Sequence, residues 1–364
     1  MNEKETTEKE GVQGYVEHSR RKVLFLLLLL AVTAAVAIIT LKIDVGSLSF
    51  SNLLNIVFNK HSPDNSKADV ILVWNLYLPR IMSAILAGCA LGVAGTVMQS
   101  VLKNPLGSPY TLGVSNAAAF GAAFGIVLGG GAVVGQSKAS IIINNPEFVT
   151  ICAFAFAMLA TAIIILLVKV TKVNSETMVL SGVALGSIFS AGISALQYMY
   201  NDSALSTIVF WQFGSLGKAS WDELTLVAVI IVPVIVYFMW KRWDFNAMDA
   251  GIDVARSLGV KVDGLRMLTL FASALITAVI VSFMGIIAFI GLLGPHIIRI
   301  FMGNDNRYVI PGSMILGVLI LLVSDCIGQS VFSFTLPVGI ITSFLGGPLF
   351  LYLLIKSRGR KSVM

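Results

Sequence analysis

Asp325 is the residue whose type and place most invite chemistry: it is a carboxylate set inside the apolar run 312–332. An ionisable group in lipid is costly, so it reads either as an ion carrier or as a charge paired within a helix bundle. It is the only acid deep in such a run, whereas ion-coupled transporters generally show several intramembrane acids or helices broken near mid-membrane. Capping a backbone amide or pairing within the bundle is the expectation. Gln99, Gln197, Gln329 and His296 lie nearer the ends of their runs. No HExxH, no GxSxG and no DxxxD pair within a run supports hydrolytic or metal chemistry, which excludes the common membrane-enzyme constellations. Cys89, Cys152 and Cys326 fall in apolar stretches without CxxC or Cys/His spacing, so they are expected to pack rather than to form disulfides or hold zinc. The string Gly214-Ser215-Leu216-Gly217-Lys218 resembles a phosphate loop, but Gln212 stands where the first glycine is needed and no strand precedes it. Uphill transport by this chain would therefore draw its energy from another polypeptide.

The elements that position these residues are helices in lipid. The chain has 364 residues, 57% hydrophobic and 12% charged, with a mean hydropathy of +0.89, and a soluble enzyme is excluded on that balance alone. Apolar runs cover 23–41, 80–102, 112–134, 149–168, 178–198, 224–240, 267–285, 286–302, 312–332 and 337–355. Each approaches the ~20 residues a crossing needs, which predicts an all-α, polytopic membrane protein with ten transmembrane helices. Met284-Gly285 is the only break between the seventh and eighth runs, which predicts two short helices joined by a tight turn rather than one very long helix. The predicted organisation is a polar tail over 1–22, a ten-helix domain over 23–356 and a basic tail over 357–364. The first 22 residues lack the pattern of a cleaved export signal, so the run after them is expected to stay as helix 1. With the amino terminus inside, nineteen of the 25 Lys and Arg residues fall on the cytoplasmic side and six outside. Retention of positive charge predicts that orientation, with both termini cytoplasmic in a cell-membrane protein. Topology thus accounts for the net charge of +6, and a nucleic-acid partner is not expected.

Gly88/Gly92, Gly121/Gly125/Gly129 and Gly182/Gly186 recur at four-residue spacing, which lets helix backbones approach closely. Helix 1, nearly all Leu, Val, Ala and Ile, reads as a peripheral, lipid-facing helix. The longest inside loop, 241–266, alternates apolar and polar residues at its centre from Gly251 to Val260. Asp253 near the start and Arg256 and Lys261 later suit a short helix's dipole, and Gly259 could close it. A soluble motor could grip such a helix.

Together the motifs resemble those of the iron-siderophore and cobalamin permease family of ABC importers, the FecCD type. They are Leu78-Pro79-Arg80, Gln99 with Asn104-Pro105-Leu106, and Leu112-Gly113-Val114-Ser115. Leu180-Ser181-Gly182 through Gly186 follows, then Trp211 with Gly214-Ser215-Leu216, and Ala255-Arg256-Ser257-Leu258-Gly259. The series ends with Gly291 to Arg299, Asp325, Leu336-Pro337-Val338-Gly339 and Gly347-Pro348. Their order and spacing cover about 70–356.

The resemblance implies a ten-helix inverted-repeat permease fold. It also implies a homodimer or a pair of paralogous subunits, two ATPase subunits and an extracytoplasmic substrate-binding protein. ATP and Mg would be used by the ATPase, with no cofactor bound by this chain. The cargo would be an iron-siderophore, haem or a cobalamin. Residue by residue, Asp253, Ala255, Arg256, Leu258 and Gly259 match the coupling helix that docks on the ATPase. Asn174, Ser175, Glu176 and Thr177 match the cytoplasmic gate, and Gly182, Gly186, Ser190 and Ser194 would line the path. Arg80 matches a docking arginine for the binding protein, while Tyr77 and Gln329 stand where the family usually has arginines. Docking with fewer charge pairs is expected. The alternative from another class is an ion-coupled secondary transporter using Asp325.

Overall fold

A computed structural model describes residues 3–46, 48–60, 62–63, 65–129, 132–134, 141–171, 175–331 and 335–361. The long helices are α1 (Glu3–Val45), α4 (Leu78–Leu102), α6 (Pro146–Thr171), α7 (Ser175–Met199), α9 (Trp221–Trp240), α12 (Val262–Met284), α14 (Asn306–Ser330) and α15 (Val338–Lys361). Between them lie α2 (Phe50–Phe58), α3 (Lys67–Ile71), α5 (Val114–Leu128), α8 (Asp202–Gln212), α10 (Arg242–Ala250), α11 (Ile252–Ser257) and α13 (Ile290–Met302). Seven helical stretches among the described residues are long and apolar enough to cross a membrane. Three shorter apolar helices, Val114–Leu128, Ile290–Met302 and Val338–Tyr352, occupy the third, eighth and tenth expected positions. Apolar helices thus stand at all ten expected positions, and seven of the ten stretches are long enough by themselves to cross. The eighth run, expected over 286–302, is helical only from Ile290, and at 1.5 Å per residue its 13 residues reach only ~20 Å. Gly285 ends α12 at φ +77° and Phe289 opens α13 at φ +67°, a left-handed conformation that a helix cannot continue through. The break at Met284-Gly285 stands, but it opens a non-helical passage rather than a tight turn.

The third run, expected over 112–134, stops at Leu128. The chain meets Gly129-Gly130-Gly131 there, and β1 (Ala132–Val134) pairs antiparallel with β2 (Ile141–Ile143). Among the described residues the fold is thus helical apart from one antiparallel strand pair, where β-branched residues follow a glycine run. The polar segment expected as a separate tail continues α1 from Glu3.

The centre of the molecule is set by how closely α4 can be approached. A Cβ on Gly88 would stand 2.4 Å from Val318 N, one on Gly92 2.3 Å from the Ser313 carbonyl, and one on Gly317 2.5 Å from the Gly88 carbonyl. Residues 88 and 318, then 92 and 313, face each other in turn, so α4 and α14 run antiparallel in backbone contact. The same register brings Arg80 to Asp325 at one end and Ser100 to Asn306 at the other. Twenty residues of α4 separate these ends, about 30 Å of helix, or one hydrocarbon thickness. On another side of α4, Gly95 meets Gly291 of α13, where an added Cβ would lie 1.8 Å from the carbonyl oxygen. Gly121 repeats this device against Cys152, joining α5 to α6. Close contact of this kind replaces the hydrophobic force that lipid does not supply.

Helix α12 packs on α4, α5 and α6, and α1 lies against α14. Helix α1 is the least buried of the long apolar helices, 11% against 72% for α12 and for the α4 stretch, which agrees with the peripheral position expected from its sequence. Just before α4 the helix widens into a π turn (Leu72–Tyr77), and Pro79, which has no N–H to offer the turn before it, follows at once.

The α4–α14 register can be tested at its middle and at one end. Gly92→Val drives side-chain atoms into the Ser313 backbone and should cost about 3 kcal/mol, the upper end of overpacking penalties; a fall in the melting temperature of detergent-solubilised protein measures it. Asp325→Leu alone, which strands a guanidinium, should destabilise by about 3–5 kcal/mol, and adding Arg80→Leu should recover part of that loss. Additive losses in the double variant would show that the two side chains do not interact.

Candidate functional site

Three regions carry the residues singled out by sequence. The first is α11, six residues between Gly251 (φ +148°) and Gly259 (φ +83°). Its last turn is closed by Gly259 N–H donating to the Arg256 carbonyl and Val260 N–H to the Ala255 carbonyl, both at 3.0 Å. Asp253 in the first turn and Arg256 in the last oppose the dipole as expected, and they pair at 3.7 Å across the surface, whereas Lys261 lies beyond α11, at the N-cap of α12. Ala255 is fully buried and anchors the helix, whereas Leu258 is 68% exposed and Val254 is exposed beside it. The result is an apolar knob with a charged rim, projecting from the end of the bundle that holds the 241–266 segment.

That knob is fixed from behind by α10. Phe245 and Met248 bury one face of α10, while Asn246 and Asp249, three residues apart, hold polar partners on another. Asn246 Nδ2 donates to Asp305 Oδ1 (2.9 Å), and Asn246 Oδ1 accepts from Asn306 N–H (2.7 Å). Asp249 Oδ2 accepts from Asn306 Nδ2 (2.7 Å) and from Ser100 Oγ (3.0 Å). Arg299 donates to Gln99 Oε1 in the same neighbourhood. Asp249 has an exposed edge, yet loss of solvent pushes its carboxyl above the ordinary range, against Asn306, Arg299, Ser100 and Lys103, which favour its charge. For Asp305 the balance falls the other way. Burial opposes its charge, but hydrogen bonds from Arg307 and Asn246 outweigh that and hold the carboxyl below its usual range. Sequence reasoning missed this node: Asn246 and Asp249 are ordinary loop residues until α10 gives them a common face.

The second region is the opposite end of α4 and α14. Arg80 Nε and Nη2 donate side-on to the two Asp325 oxygens, each at 2.7 Å, with the Asp325 side chain 4% exposed. Asp325 is thus the paired charge expected from its isolation, and Arg80, singled out for the docking surface, has two N–H groups turned inward. Tyr77 lies partly buried on the π turn. Gln329 is also partly buried, and its Nε2 finds no hydrogen-bond partner among the described residues.

The third region is a groove of about 450 Å³ bordered by Tyr110, Asn116, Gly182, Gly186, Ser190 and Phe350, among others. Gly182 and Gly186 are needed there for contact: an added Cβ on Gly182 would stand 2.5 Å from the Leu112 backbone, and Asn116 Nδ2 donates to the Gly186 carbonyl (3.2 Å). Ser190 faces the groove. Ser194, a turn further along α7, donates its hydroxyl back to the Ser190 carbonyl (3.2 Å). Of the expected gate, Asn174 lies outside the described residues, Ser175 and Glu176 begin α7, and Thr177 is exposed in its first turn. The three cysteines are free. No group of three His, Cys, Asp or Glu residues gathers among the described residues.

Comparison with known proteins places this geometry. A chain of Methanocaldococcus jannaschii named as an ABC transporter permease protein is 42% identical over 347 residues, covering 94% of this chain and 97% of that one. The hemin transport system permease of Yersinia pestis is 33% identical, covering 80% and 85% respectively. The vitamin B12 import system permease of Salmonella paratyphi A is 33% identical, covering 79% and 84%. A solved structure described as an inward-facing conformation of a metal-chelate type ABC transporter aligns with a TM-score of 0.76 and 29% identity, over 92% of this chain and 99% of that one. The match to the FecCD transport family spans residues 27–356, and on that span the chain belongs to this family of multi-span permease subunits in the cell membrane.

Proposed function

We propose that this chain carries a metal chelate, of the ferric-siderophore, haem or cobalamin kind, into the cytoplasm as the membrane subunit of a binding-protein-dependent importer. Two copies, or this chain and a paralogous one, would face each other across the groove of α5, α7 and α15. ATP would be hydrolysed by two separate subunits seated on α11, so that both termini and the 241–266 segment lie in the cytoplasm. The loaded binding protein would dock at the other end, where Tyr77, Arg80 and Gln329 cluster along the starts and ends of α4 and α14. Residues 174–177 would close the path on the inside.

The observation that carries this reading is the knob itself. A short helix with its cap, exposing Val254 and Leu258 beside the Asp253–Arg256 pair, has the make-up of a partner contact, an apolar centre with a charged rim. The groove supports the rest. It is lined by glycine, apolar and uncharged polar side chains with no charged group among them, which suits passage, since a path that held its cargo tightly would not release it. The ion-coupled alternative gains no support, because both Asp325 oxygens are engaged by Arg80, which makes the residue a structural link between α4 and α14.

The test is recruitment. Leu258→Asp places a charge at the centre of the contact and should weaken co-purification of the cognate ATPase by about tenfold or more, as loss of a buried anchor does. The melting temperature should stay unchanged, since the residue is exposed. Full recruitment by Leu258→Asp combined with Val254→Asp would remove α11 as the ATPase contact.

A further inference from the structure

A helix of six residues cannot transmit force unless something holds it, because nothing this short is stable alone. Glycines with positive φ flank α11 on both sides, so its grip on the bundle depends on its neighbours. Toward the carboxyl side it runs through Gly259 and Val260 into α12. Toward the amino side it hangs directly on α10, where Gly251 N–H donates to the Ala247 and Met248 carbonyls (3.2 Å each) and Ala255 N–H to the Gly251 carbonyl (2.9 Å).

Asn246 and Asp249 fasten α10, and both hold the same two-residue step, Asp305-Asn306, at the start of α14. Asn306 is fully buried, and its Nδ2 also reaches Ser100 Oγ at 3.3 Å, so the end of α4 is tied into the same knot. Its Oδ1 has no hydrogen-bond partner among the described residues. The amide is therefore held in place from its donor side, by Asp249. From this knot α4 and α14 run together, in glycine-to-backbone contact, to the Arg80–Asp325 pair at the far end.

We infer that Asn246 and Asp249 are positioning residues that couple α11 to the α4–α14 pair, so that a displacement of the knob on one face of the membrane moves the docking end on the other. This rests on reading α11 as the ATPase contact. Their loss should uncouple the machine without detaching the motor. Coupling between sites is reciprocal, so the same loss should weaken the effect of the binding protein on ATP hydrolysis.

The experiment uses the full complex in proteoliposomes, with the cognate ATPase and binding protein. Three quantities are read: ATPase recovered with the permease, ATP hydrolysed, and cargo imported per ATP. Asn246→Ala with Asp249→Ala should leave recruitment within about twofold of wild type, while cargo per ATP and binding-protein stimulation fall about tenfold, within the usual range of coupling between sites. The exchange Asp249→Asn with Asn306→Asp keeps the hydrogen bond with its ends reversed and should restore most of the cargo per ATP lost in Asp249→Asn alone. Unchanged cargo per ATP in the alanine pair would overturn the inference, as would failure of the exchange to restore any of it. Should the alanine pair not fold, the exchange comparison decides alone. Failure of the ATPase reading has a different signature, since it shows as full recruitment after Val254 and Leu258 are replaced by aspartate.

Discussion

The structure depends on one constraint: two helices in lipid must touch backbone to backbone. Water drives apolar surfaces together, but acyl chains are as apolar as leucine, so contact in the membrane interior rests on van der Waals fit and on polar groups that lack any other partner. Helices α4 and α14 meet both needs. Gly88, Gly92 and Gly317 remove the side chains that would hold them apart. Arg80 with Asp325, and Ser100 with Asn306, close the two ends. Helices α12 and α13 then pack against α4, while α1 lies at the periphery against α14.

A pair joined this closely behaves as one body, because a packed interface has few intermediate positions between its discrete arrangements. In the proposed function the chemistry of transport lies outside this chain and its mechanics lie inside it. The groove is lined by no charged side chain with which to hold a cargo, and the only carboxylate deep in an apolar run is held by an arginine. The chain presents a small apolar knob at one end, a partly buried arginine at the other and a stiff element between them. The chain belongs to the FecCD transport family, and in the proposed function these parts serve a path that leaves cargo choice to another protein.

Much of this was legible in the residues. Four-residue glycine spacing announced the close contacts, Gly251 and Gly259 bracketed α11, and Met284-Gly285 marked a break. Other features had no local signature. Hydropathy counts apolar residues and is blind to backbone direction, so it could not show that Phe289 adopts a left-handed conformation, or that the third run ends in a strand pair. Asp325 was recognisable as needing a partner, but that partner is 245 residues away along the chain and is fixed only by the α4–α14 register. Asn246 and Asp249 carried least warning, because polar residues in a cytoplasmic loop are common and their meaning comes from the helix face they share.

A chain that opens a path but supplies no energy should move nothing uphill by itself. The most direct test is uptake by purified chain in sealed vesicles, measured with a proton or sodium gradient imposed and, separately, with the cognate ATPase, binding protein and ATP. Accumulation against a concentration gradient is expected only in the second case. Accumulation driven by the ion gradient, with no ATPase present, would contradict the proposed function.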